Sequence, residues 1–218
     1  MEKIRHEINK AGIETDGSKT IANVYTGTTY TFSQADCGNK GKSEYCDDYE
    51  AGGSFRCNWG TNSYGWADAL SENDSLINIH SATTWAWVGK QIKVHGTDDA
   101  RIYFDGDYAW YVLGGCEYPT WASVRVKAIV YNVTNSQEVA SKTILYESNF
   151  APLPNYGDDD FNKYIDCSLL NGKTYALKME VTAYISAGSE CTADMCSSLT
   201  PAAGGDGLDY NYIQVTWR

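Results

Sequence analysis

Residues 121–131 read Trp-Ala-Ser-Val-Arg-Val-Lys-Ala-Ile-Val-Tyr, WASVRVKAIVY. Ala122, Val124, Val126, Ala128 and Val130 fall on one side of an extended chain, and Ser123, Arg125 and Lys127 on the other. A period of two belongs to a strand with one buried and one wet face. The following run, EVASKTILYE, is its expected antiparallel partner, reached through NVTNSQ.

The same alternation recurs outward in both directions. In KTYALKMEVTAYISA it places Tyr175, Leu177, Met179, Val181, Ala183 and Ile185 together, with NGK as the preceding turn. YNYIQVTW points Ile213, Val215 and Trp217 inward. ARIYF sets Ile102 and Phe104 against Arg101 and Tyr103, and LINIHSA also alternates. WAWVGKQIKVHG supplies Val88, Ile92 and Val94, and Trp85 and Trp87 share one of its faces. The dipeptide Asp105-Gly106, set between β-rich runs, predicts a hairpin turn.

Eight to ten strands with turns at this spacing predict an all-β protein: a single antiparallel, jelly-roll-like β-sandwich over residues 1–218. Residues 71–218 form its expected core, and residues 1–70 an N-terminal extension and Cys-rich elaboration. One short helix is expected over residues 1–12, where Met1, Ile4, Ile8 and Ala11 line one face and Gly12 stops it. From Ser33 to about Asp68 the chain reads as a long irregular segment stapled by cysteines. Composition agrees with the class: 17 Tyr, 7 Trp and 20 Gly against 3 Met suit pleated surfaces and turns.

A formal charge of −11 argues against nucleic acid, whose phosphates demand Lys and Arg, and against attraction to anionic membranes. No window carries the apolar length of a membrane helix, and MEKIRHEINKAGIE lacks the apolar centre of a secretory signal. The seven cysteines, Cys37, Cys46, Cys57, Cys116, Cys167, Cys191 and Cys196, have no zinc spacing. They are expected to form disulfides, which places the protein outside the cell or at its surface. The expected pairs are Cys191–Cys196 and one within Cys37, Cys46 and Cys57, with one thiol of the odd number left over. Asn132-Val-Thr134 and Asn73-Asp-Ser75 match the glycosylation acceptor pattern.

No catalytic fingerprint is present. His6, His80 and His95 are far apart, and HExxH, GxSxG and a phosphate loop are missing from the sequence. Asp158, Asp159 and Asp160 in NYGDDDF, with Asp206 and Asp209, are the expected calcium ligands, because calcium takes several hard oxygens from flexible loops. Trp59, Tyr64 and Trp66 are the expected sugar platform, while Trp110 and Trp121 are expected in the core. Three functions follow in order. The first is a non-catalytic extracellular subunit that assembles with copies of itself into a filament, layer or coat. The second is a calcium-dependent carbohydrate-binding module. The third is a secreted glycoside hydrolase, resting only on abundant carboxylates.

Overall fold

The computed structural model describes residues 14–15, 21–36, 39–46, 55–61, 66–73, 80–114, 121–187, 191–194 and 207–218. The expected helix over residues 1–12 lies outside them. In chain order the strands are β1 (Glu14–Thr15), β2 (Ala22–Tyr25), β3 (Tyr30–Ser33), β4 (Asn39–Cys46), β5 (Phe55–Thr61), β6 (Trp66–Asn73) and β7 (His80–His95). They continue as β8 (Asp98–Leu113), β9 (Trp121–Asn132), β10 (Gln137–Asn149), β11 (Asn155–Leu169), β12 (Thr174–Ala187), β13 (Cys191–Asp194) and β14 (Leu208–Trp217).

They form two seven-stranded sheets. The first runs β1-β4-β7-β12-β9-β10, with β2 added in parallel to β7. The second runs β11-β8-β13-β6-β14-β3, with β5 on β6 and a further pairing of β8 with β14. The all-β sandwich therefore holds, with more strands than the alternation alone resolved. The extra ones lie largely between Ser33 and Asp68. That stretch is not one irregular loop, since β4 pairs with β7 of the first sheet and β5 with β6 of the second.

The inward faces make the core. Ala122, Val124, Val126, Ala128 and Val130 of β9 are at most 1% exposed, and so are all six inward residues of β12. They meet Ala100, Ile102, Phe104, Val112, Ile213 and Val215 from the second sheet. A buried polar tie joins the layers: the hydroxyls of Ser71 and Thr84 are 2.9 Å apart, and Ser71 Oγ donates to the Ala183 carbonyl at 3.0 Å. The pairing leaves these buried groups satisfied, which is the condition for placing them there.

The β9–β10 hairpin is as expected, closed by a turn over residues 133–136 with Ser136 at φ 54°. Asn132 enters that turn inward: it is 2% exposed and accepts from the Asn135 backbone N–H at 3.1 Å. The fold has no room for a glycan on a side chain so placed, so the acceptor expectation at Asn132 is corrected. Asp105-Gly106 is corrected too, because it lies in the middle of the sixteen-residue β8 and not at a turn. Gly106 is there because the β14 backbone approaches it closely at a register shift between Tyr210 and Tyr212. β10 is likewise interrupted at Glu138/Ala140 and Thr143/Leu145.

Candidate functional site

Alternation that buries one set of side chains on β7, β12, β9 and β10 turns the other set outward. Register then fixes which of these stand abreast. Across β12, β9 and β10, Tyr184 is level with Ser123 and Ser148, and Thr182 with Arg125 and Tyr146. Glu180 stands between Trp87 of β7 and Lys127 of β9.

At one end of this outer face the aromatic rings form a band. Trp121 lies 4.8 Å from Tyr184, tilted by 49°, and 6.0 Å from Phe150, stacked at 19°. Phe150 is 67% exposed and Tyr146 is 55% exposed. The turn after β10 holds Phe150 in place. The Ala151 N–H donates to Asn149 Oδ1 at 2.9 Å, and Asn149 Nδ2 donates to the Val112 carbonyl at 3.1 Å. Trp121 is thus a surface aromatic and not the core residue expected. It occupies the first position of β9, one step out of phase with the buried alanines and valines.

The middle of the face is charged. Lys127 Nζ donates to both carboxylate oxygens of Glu138, at 3.1 and 3.0 Å. Lys178 Nζ sits 4.4 Å from the Trp87 ring and 4.6 Å from the Tyr131 ring, a cation held between two aromatic faces. Burial lowers the Lys178 pKa. Trp85 and Trp87, at 6% and 2% exposure, are covered and not open to a ligand. Arg125 Nη2 donates to Thr182 Oγ1 at 3.4 Å and lies 3.9 Å from Glu180 Oε1.

Burial pushes the Glu180 carboxyl above the usual carboxylate range, against the opposing pull of Arg125 and Lys178. A carboxyl raised in the folded state binds its proton more readily there than in the unfolded chain, whose value is about 4.3. The ionised form is therefore a burden on the fold at neutral pH, and that burden lifts as pH falls through the folded value. Glu180→Gln is expected to raise the melting temperature at pH 7 and to give no gain below about pH 4. Thermal melts of the two proteins across that range check it, and an equal gain at both ends would refute it.

The residues expected from sequence are distributed differently. Asp158, Asp159 and Asp160 stand in β11, not in a loop. A strand sends neighbours to opposite faces, so a consecutive triplet cannot converge on one ion. Asp160 is directly opposite Asp107, and Asp107 opposite Asp209, on the outer side of the second sheet. Among the described residues no three His, Cys, Asp or Glu side chains come together as a metal-holding group. Asp206 and Tyr64 lie outside the described residues. Trp59 and Trp66 belong to β5 and β6, opposite Ala69 and Asp209 respectively, so they too are strand residues. Trp110 packs part-buried against the core, as expected. Cys46, Cys57 and Cys191 stand in β4, β5 and β13, while Cys37, Cys116 and Cys196 lie outside the described residues. Cys167 is a free thiol.

No protein-family model and no curated protein matches the chain. Among solved structures it is similar to the enzymatically active domain of a tailspike protein of bacteriophage CBA120. That match has 12% identity and a TM-score of 0.28, and covers 79% of this chain and 19% of that one. The chain thus spans about a fifth of the length of that tailspike domain. It is similar to a cleaved adhesin domain of the Lys-gingipain of Porphyromonas gingivalis, at 13% identity and TM-score 0.24, covering 88% of this chain and 99% of that one. It is also similar to a carbohydrate-binding module solved in complex with β-1,4-galactotriose, at 6% identity and TM-score 0.16, covering 70% and 71%. Likenesses of this size carry no argument about function, which is read from the face itself.

Proposed function

We propose that the protein is a non-catalytic, extracellular carbohydrate-binding β-sandwich whose ligand lies across Trp121 on the outer face of the first sheet. The observation that supports this most is the band Tyr184–Trp121–Phe150, solvent-facing at Phe150, with the half-buried Ser148 in the same row as Tyr184. A sugar ring offers an apolar C–H face and a polar rim. Flat aromatics beside hydroxyls complement both, as mostly apolar sites with a few placed polar groups do. The extracellular setting draws on the seven cysteines.

Self-assembly, the first expectation from sequence, drew on the N-terminal segment and an odd thiol. The segment lies outside the described residues. Burial, with Asp166 and Asp99 nearby, pushes the Cys167 thiol up to about 11. That disfavours the thiolate needed to bond another chain.

A glycan array screened with the whole protein is the first test. Trp121→Ala and Phe150→Ala are each expected to weaken the best ligand by roughly 30-fold, the effect of removing a central aromatic anchor. Tyr156→Ala, on the outer side of the second sheet, is expected to leave affinity unchanged. Chelator is also expected to change nothing, since the proposed face draws on rings and hydroxyls. Equal affinity in wild type and Trp121→Ala would sink the reading.

A further inference from the structure

Two cations on this face have partners at short range, and Arg125 beside them does not. Lys127 is held by both oxygens of Glu138, and Lys178 by two rings. On the second sheet, Arg101 shows what a satisfied guanidinium looks like: Nε and Nη2 donate to the two oxygens of Asp166 at 2.8 and 2.9 Å. Arg125 has no such acceptor among the described residues. Its contacts are the 3.4 Å bond to Thr182 and Glu180 at 3.9 Å, and its Nε is buried without a hydrogen-bond partner. A guanidinium carries five N–H donors in a planar fork. With the Nε edge buried, the exposure of the side chain, 42%, belongs to its remaining atoms, and the Nη end of the fork is the part a ligand can meet.

We infer that the sugar taken by this face is an acidic one, whose carboxylate seats on the Arg125 guanidinium while a neighbouring ring stacks on Trp121. This rests on the carbohydrate-binding reading. The planar fork matches a carboxylate in shape as well as charge. Arg125 lies four positions along β9 from Trp121, on the same face, with Ser123 between them. At about 3.3 Å per residue that is roughly 13 Å, which suits an oligosaccharide lying along the strand and not a single ring. The net charge of −11 repels anions at long range. Selection of an acid by this protein therefore has to be short-range and geometric, which a fork supplies and a diffuse basic patch would not.

Calorimetric titration of the whole protein with four probes tests it: trigalacturonate, its methyl ester, sialyllactose and lactose. One acidic probe is expected to bind at least about 10-fold tighter than its neutral counterpart, in line with a charge-assisted hydrogen bond. Which acid prefers the face separates a uronate from a sialate. Arg125→Gln is expected to erase the preference while leaving weak binding of the neutral sugar. Arg125→Lys should restore only part of it, because an ammonium has the charge without the fork. Trp121→Ala should weaken acidic and neutral sugars alike. Equal binding of acidic and neutral probes, or a preference that survives in a folded Arg125→Gln protein, overturns the acid assignment and leaves the sugar-binding face standing. Binding of none of the four overturns both.

Discussion

Alanine at Gly106 is expected to destabilise the protein by roughly 3 kcal/mol, the upper end for overpacking a tight site. A Cβ there would lie 2.3 Å from the Asp209 carbonyl oxygen, 3.0 Å from the Tyr210 Cα and 3.0 Å from the Phe161 ring. Two of the three are backbone atoms, so no rotamer change relieves the clash. The backbone cannot easily retreat either, since Leu208 and Tyr210 on β14 are both fully buried. Equilibrium unfolding in urea reads the loss as a lower midpoint at unchanged slope. A midpoint within error of wild type would mean that β14 does not press on β8 at this point.

Trp87→Ala is expected to cost about 3–5 kcal/mol, the range for truncating a large buried aromatic. Trp87 is 2% exposed although it lies on the outer side of its sheet, and its ring covers the Lys178 ammonium at 4.4 Å. The substitution therefore opens a cavity and removes one of two rings that stabilise a partly desolvated cation. A double-mutant cycle with Lys178→Met separates the two contributions. A coupling of about 0.5–2 kcal/mol is expected from the cation–ring contact. A coupling of zero would leave the loss entirely to packing.

The sandwich was legible wherever one face of a strand is buried and the other wet, because that contrast writes a period of two into the residues. β9, β12 and β14 show it plainly, and Asn171-Gly172, with Gly172 at φ 74°, is the turn that NGK announces. The failures have a common cause. Asp105-Gly106 carries a turn's local chemistry, yet the glycine answers to a neighbour about a hundred positions away in the chain. No local pattern distinguishes a glycine that bends the chain from one that lets another strand pass. The aspartates of β11 misled in the same way. They lie on an edge strand whose outward residues are all exposed, so polarity there signals an open edge and not a loop. The candidate site was not legible in the residues alone. Trp85 and Trp87 share a face, as their spacing predicts, but they are covered, and the residue type of Trp121 suggests a core position that it does not take. Only the register across β12, β9 and β10 reveals that it meets Tyr184 and Phe150.

The position of β14 has a consequence in time. Its residues pair with β8 on one side and β3 on the other, so Gln214 is bonded to Thr31 across 183 positions of sequence. At a synthesis rate of about 5–20 residues per second, β3 waits roughly 10–40 s for its neighbour to be made. β8 has one flank open for much of that interval, while β9, β10 and β12 can already pair with one another. A nascent chain is therefore expected to carry one sheet nearly finished and the other unfilled at its centre. That exposed gap is where a holding chaperone would be needed.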